Sequence, residues 1–269
     1  MSAHASKGTA LITGASTGIG AVYADRLAKR GYDLILVARS QEKLSEVAAR
    51  LKTTGRRIET ITADLTKKED VQRVAERLTT DPAITALVNN AGLGSAGKLL
   101  DSNIDDLESM IYLNVTALTR LALAAVPGFV ARKNGLLINI ASVVALAPDL
   151  LNGTYSGSKA YVVNFTQALK NEVEGKGVTV QAVLPGAIAT PFWDKAGLPV
   201  QGLPNEWVMT PEDLVDASLA GLDQHELITI PSLPDIADWE KYEAARKALG
   251  PNLSRQKTAA RYGIQSSTY

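Results

Sequence analysis

Short, almost wholly apolar runs alternate along the chain with longer segments whose apolar residues recur at helical spacing. The runs are Thr9–Thr13, Leu34–Ala38, Ile58–Thr62, Ala86–Asn89, Leu136–Ala141, Val178–Leu184 and Leu227–Ile230. Stretches such as LILVA and LLINIA stay apolar on successive residues instead of alternating, the pattern of strands covered on both faces. Between the runs lie helix-length segments near 18–30, 41–54, 67–79, 103–131, 154–174 and 211–222. Two of these open on cap signals, Ser40 with Glu42 and Thr210-Pro211-Glu212-Asp213.

The resulting βαβα order calls for crossover connections, and right-handed crossovers lay helices on both faces of a parallel sheet. The expected fold class is α/β: one doubly wound (Rossmann) domain with a seven-stranded parallel sheet. No Gly/Ser/Pro linker or shift in composition divides the 269 residues, so a single domain over 1–269 is expected, with its core at 8–231. Two segments stand outside the alternation. Residues 191–210, rich in proline and tryptophan, suit a lid over a pocket. Residues 232–269 form a C-terminal extension in which Ile236, Trp239, Tyr242, Arg246 and Leu249 keep a helical spacing, the mark of a tail that packs on the domain or on a partner subunit.

Charge removes whole classes of partner. Basic and acidic residues balance at 28 each, so no global field draws nucleic acid or an anionic membrane, and any charged ligand must be met locally. The absence of cysteine excludes disulfides, thiolate nucleophiles and Cys-bearing zinc sites, and His4 and His225 are the only histidines. MSAHASKGTA has no apolar signal core, and Leu121–Val126 and Leu136–Ala147 fall short of the roughly 18 residues of a membrane span. A cytoplasmic protein that engages neither nucleic acid nor membrane is expected.

The first run leads directly into Thr13-Gly14-Ala15-Ser16-Thr17-Gly18-Ile19-Gly20 at a helix start. Glycines let a pyrophosphate approach the backbone, and a helix N-terminus offers it free N–H donors, although a glycine-rich turn can also simply be tight. At the end of the second run an acid would bind a ribose hydroxyl. The chain instead has Arg39, which suits a 2′-phosphate and so NADP(H), or else pairs with Glu42. Asp64-Leu65 and Asn89-Asn90-Ala91-Gly92 follow the third and fourth runs, at strand ends where ligands bind. Asp64 either bonds an adenine or caps a helix, and Asn90 either lines the cofactor floor or shapes a turn.

In Tyr155-Ser156-Gly157-Ser158-Lys159 a phenol and an ammonium sit four apart on one helix face. An ammonium about 4 Å from a phenolate would lower a phenol pKa of about 10 by up to about three units, toward useful acid–base chemistry. Ser142, ending the fifth run, is placed to hold a substrate oxygen against Tyr155. Asn114, on an apolar helix face, either satisfies backbone groups or holds a water beside Lys159.

With these residues in place, the chain resembles the short-chain dehydrogenase/reductase family. The likeness covers 8–231 through TGASTGIG, the Asp64 turn, NNAG at 89–92, Asn114, Ser142, Tyr155/Lys159 and Pro185-Gly186-Ala187-Ile188-Ala189-Thr190. It implies Tyr155 as acid–base residue, Ser142 steadying the substrate oxygen, Lys159 holding the nicotinamide ribose and Asn114 supporting a relay water. It further implies a cofactor surface of Gly14, Ser16, Thr17, Gly18, Ile19, Gly20, Arg39, Asp64, Leu65, Asn90, Ala91, Gly92, Pro185, Gly186, Ile188 and Thr190, with Tyr155 and Lys159, and no metal. NADP-preferring members often carry a basic residue where this chain has Thr17, so the NADP(H) reading rests on Arg39. A homodimer through the helices of Asn114 and Tyr155, or a homotetramer, is expected. The expected activity is NADPH-dependent reduction of a ketone with an apolar substituent. A dehydrogenase running toward oxidation and a non-enzymatic NADP(H) sensor are the alternatives; the intact Ser142, Tyr155 and Lys159 argue against the sensor.

Overall fold

The computed structural model describes residues 6–95, 97–193 and 202–264. Strands β1 (Thr9–Thr13), β2 (Asp33–Ala38), β3 (Ile58–Thr62), β4 (Ile84–Asn89), β5 (Gly135–Ile140), β6 (Val178–Val183) and β9 (Ile228–Thr229) form one seven-stranded sheet in the order β3-β2-β1-β4-β5-β6-β9. Every pairing in it is parallel. Each apolar run of the sequence is one of these strands, displaced by no more than two residues at either end.

Two-sided burial explains why the runs are continuous. In β1, Ala10 and Ile12 pack with Leu27, Leu36 and Leu214 on one face, while Leu11 packs with Ile35, Leu121 and Phe129 on the other. Helices α1 (Gly18–Lys29), α2 (Gln41–Leu51) and α7 (Pro211–Asp223) cover the first face. The second is covered by α3 (Lys68–Thr80), α5 (Leu118–Arg132) and α6 (Gly153–Val173). The cap signals act as the sequence implies: Ser40 Oγ accepts from Lys43 N at 3.3 Å, and Thr210 Oγ1 accepts from Asp213 N at 3.0 Å ahead of Pro211.

α4 (Ile104–Ile111) runs into α5 through a π-helical stretch, Tyr112–Ala117. Together they make a 29-residue helix long and apolar enough to cross a membrane by length and composition, but half of its most apolar window is buried in the protein. A small second sheet pairs β7 (Ala187–Ile188) with β8 (Val208–Met209) in parallel, at the two ends of the expected lid. Residues 194–201 of that lid lie outside the described residues.

The chain divides into two compact units, Met1–Pro231 and Ser232–Tyr269. In the second, α8 (Ile236–Ala248) is capped by Asp235, whose Oδ1 accepts from Ala237 N at 2.9 Å. Trp239 and Tyr242 stack with ring centroids 5.3 Å apart, and Arg246 holds Glu243 through two bonds of 2.8 Å.

Candidate active site

The order β3-β2-β1-β4 reverses the winding between β1 and β4, so their carboxyl ends open a crevice that a dinucleotide fits. Gly14 takes φ +66°, and a Cβ there would lie 2.8 Å from Asn90 Nδ2. At Gly20 a Cβ would overlap the carbonyl oxygen of Gly14. Only glycine permits this fold-back. Thr17 is exposed and extended, its side chain makes no cap bond, and the first turn of α1 has no acidic residue. The N–H donors opening α1 therefore meet no side-chain acceptor of their own, and the cradle fits a pyrophosphate. Ser16 and Ile19 are half-buried beside it, and a Cβ on Gly18 would come within 2.9 Å of the Thr190 methyl, which places Thr190 at this turn.

Asn90 locks the cradle from the β4 side. Its Nδ2 donates to Thr13 O at 2.8 Å and to Gly14 O at 3.3 Å, while Thr13 Oγ1 accepts from Asn90 N and Ala91 N at 2.9 and 3.0 Å. Of the two readings open for Asn90, turn shaping is the one its hydrogen bonds serve. Asp64 closes a turn rather than a helix end: its Oδ1 accepts from Thr66 N at 3.1 Å and Thr66 Oγ1 at 2.8 Å, while α3 begins only at Lys68 with Lys67 at its N-cap, and Oδ2 is left without a bond among the described residues. Leu65 beside it is buried. Arg39 at the end of β2 is exposed and, among the described residues, makes neither an ion pair nor a side-chain hydrogen bond, so it does not pair with Glu42.

Beyond β5, Ser142, Tyr155 and Lys159 converge, and all three are buried, Tyr155 and Lys159 each 6% exposed. Ser142 Oγ donates to Pro185 O at 3.3 Å, and Val143 N donates to the same oxygen at 2.9 Å. This joins the serine loop to the Pro185-Gly186 turn, where Pro185 and Ile188 are buried and Gly186 half-buried. Lys159 Nζ donates to Ile140 O at 3.0 Å and lies 5.8 Å from the centre of the Tyr155 ring.

The expected lowering of the Tyr155 pKa by Lys159 is not what the protein alone produces. Burial pushes the phenol up to about 12, with partial relief from a hydrogen bond to Ser142, and burial brings the Lys159 ammonium down to about 8. Desolvation sets both directions because both groups sit inside, where the charged form of each is disfavoured.

Asn114 lies in the π-helical stretch, 1% exposed. Its Oδ1 accepts from Leu93 N at 2.9 Å, and its Nδ2 donates to Leu93 O at 2.8 Å and Ser158 Oγ at 3.0 Å. The side chain thus clamps the backbone after the NNAG turn to the catalytic helix, which is the backbone-satisfying reading. A Cβ on Gly92 would lie 3.3 Å from Asn114 Oδ1 and 3.5 Å from Lys159 Nζ, so both groups border that glycine.

The substrate side is apolar. Leu107, Met110, Val144 and Tyr155 form a buried group against which Leu93, Leu151 and Phe192 pack. Trp193 Nε1 donates to Ile188 O at 2.9 Å and fixes the start of the lid to β7. Leu150 and Trp207 are exposed and take no part in this group. Sequence reasoning missed Thr13, Gly94 and Asn152. Asn152 was the findable one, an Asn before a helix start: its Oδ1 caps α6 through Thr154 N at 2.9 Å while its Nδ2 donates to Gly97 O at 2.9 Å and Ser102 Oγ at 3.2 Å.

Comparison with known proteins agrees with this geometry. Residues 8–199 match the family model described as short chain dehydrogenase. A short-chain dehydrogenase from Sphingobium yanoikuyae, solved in complex with NADPH, is 44% identical over 95% of this chain and 99% of its own, with a TM-score of 0.92. The bulky-bulky ketone specific alcohol dehydrogenase from Comamonas testosteroni is 41% identical over 95% and 98% of the two chains, with a TM-score of 0.87. Human 17-beta-hydroxysteroid dehydrogenase type 3 is 38% identical over 186 residues, 67% of this chain but 59% of the human protein's length. With a family model over residues 8–199 and relatives this similar over most of its length, the chain belongs to the short-chain dehydrogenase family of oxidoreductases acting on alcohol and carbonyl groups.

Proposed function

We propose that the protein is an NADPH-dependent carbonyl reductase acting on a ketone with a sizeable apolar substituent. The observation that carries this reading is the convergence of buried Ser142, Tyr155 and Lys159 beside the apolar group of Leu107, Met110 and Val144. Tyr155, whose phenol burial pushes up to about 12, keeps its proton at neutral pH and can donate it to a carbonyl oxygen. Ser142 steadies that oxygen, and Lys159 keeps a positive charge within reach below pH 8. Bound at the α1 cradle, NADPH would supply the hydride; the chain's own part is to align a carbonyl against Tyr155 and keep water away. The unpaired Arg39 supports the phosphorylated cofactor, as do the NADPH in the Sphingobium structure and the bulky ketones named for the Comamonas enzyme.

Association as a homodimer, through the helices bearing Asn114 and Tyr155, is part of the same proposal; light scattering on the eluting protein measures it directly. The activity is tested by loss of NADPH absorbance at neutral pH with aryl, aliphatic and cyclic ketones, with Tyr155→Phe and NADH in parallel. Turnover that disappears in Tyr155→Phe is expected. Tight NADPH binding without turnover of any ketone would leave the chain a binder and sink the reading.

A further inference from the structure

A ring from the start of the lid packs against the candidate acid. Phe192 lies with its centroid 6.1 Å from that of Tyr155, tilted by 43°, and meets Trp193 edge-on at 5.7 Å. Its tip reaches the backbone of Gly94, where a Cβ would overlap Cζ and would also crowd the two neighbouring ring carbons. Leu107, Met110 and Val144 form the buried floor. Tyr155 is only 6% exposed, and Phe192 is one of the side chains packed over it.

We propose that the slot between Gly94 and Tyr155 is the seat of a planar aromatic ring of the substrate, and that Gly94 determines specificity by lacking a side chain. The inference rests on the carbonyl reductase reading and deepens it. The slot accepts a flat group because one wall is bare backbone and another is a tilted aromatic face, the arrangement that ring pairs prefer. Phe192 holds the slot as a stand-in, and an aryl ketone replaces it contact for contact while its oxygen meets Ser142 and Tyr155. The walls named here carry no charge, so an anionic substituent finds no counter-ion among them.

The test compares acetophenone with cyclohexyl methyl ketone and 2-butanone as substrates of the full chain. In the wild type, kcat/KM is expected to favour acetophenone over its saturated analogue. Gly94→Ala should reduce the acetophenone to 2-butanone ratio of kcat/KM at least ten-fold, and Phe192→Ala, which removes the stand-in, should lower KM for acetophenone several-fold. A ratio unmoved by Gly94→Ala overturns the assignment. If that variant does not fold, an unchanged or raised acetophenone KM in Phe192→Ala overturns it instead. Should the wild type bind NADPH yet reduce no ketone, the reductase reading fails alone, and the slot is judged by fluorescence of Trp193, with Trp193→Phe as control. Saturable quenching by acetophenone, absent with 2-butanone, supports the slot, and lack of quenching overturns it.

Discussion

Lys159 is charged, buried and held by one carbonyl oxygen, and its pH behaviour follows from that placement. Below pH 8 the folded and unfolded chains both carry the proton, and the folded state bears the whole cost of burying it. Between about 8 and the ordinary 10.5 only the unfolded chain stays protonated, so stability rises through that window. Tyr155 works the other way: its folded pKa is raised, so its contribution is complete below pH 10 and is lost as pH climbs toward 12. The expected outcome is that the unfolding free energy of the wild type gains about 2 kcal/mol relative to Lys159→Met between pH 7.5 and 10. Urea titrations at the two pH values measure it, and parallel curves would show that burial does not set the lysine pKa. Arg39 gives a second prediction. One charge-assisted phosphate contact is worth about 1.5–3 kcal/mol, so Arg39→Ala should raise KM for NADPH roughly 10–100-fold and leave KM for NADH nearly unchanged. Equal losses for both cofactors would take the 2′-phosphate role away from Arg39. These residues were visible from the chain alone because type and spacing carry the chemistry. The direction of the Tyr155 shift was not, since it depends on burial and on the hydrogen bond with Ser142, which no local pattern encodes.

At the scale of elements, the inner strands were legible because cover on both faces leaves each as an apolar run, and the half-buried edge strand β3 through its β-branched residues. The β7–β8 pair was not, since two residues per strand give no period to detect. Nor was the π-helical stretch, whose purpose becomes clear only when Asn114 is seen bridging Leu93 and Ser158. Asn152 joins two elements in the same way and yields a separable prediction. Asn152→Ala removes the cap of α6 and should cost about 1 kcal/mol, whereas Asn152→Ser keeps a cap acceptor and should recover most of it. Neither replacement reaches Gly97 and Ser102, so both should show the same raised KM for ketone. Thermal melts and steady-state kinetics on the pair separate the two roles, and a serine variant with wild-type KM would confine Asn152 to capping.

At the scale of the whole molecule, the cradle joins the two halves of the sheet. The glycine turn after β1 and the NNAG turn after β4 are held to each other by Asn90 and Thr13, so a ligand on one presses on both. Saturating NADPH at a hundred times its dissociation constant should add about 2.7 kcal/mol and lift the melting temperature by roughly 5–10 °C. NADH at the same concentration should lift it less, and equal shifts would argue against an NADP(H) preference. On the other face of the sheet's far edge, Arg26 with Asp216 and Arg30 with Asp223 tie α1 to α7 through bonds of 2.7–2.9 Å. These pairs are partly exposed, and each is expected to matter little to stability.

The β7–β8 pair closes the chain between Ile188 and Val208 into a loop whose two ends are fixed side by side, with Ala189 N donating to Met209 O at 2.9 Å. A loop closed at its neck is thermodynamically tolerant of its own length, since doubling it costs only about 0.6 kcal/mol in closure entropy. Changes of length there are expected to leave the register of the seven-stranded sheet as it is, provided Thr190, which lies against Gly18 at the α1 turn, is kept. If the proposed reductase reading holds, a combinatorial library confined to this loop would vary the ketone accepted as a cassette, without altering β1, β5 or α6.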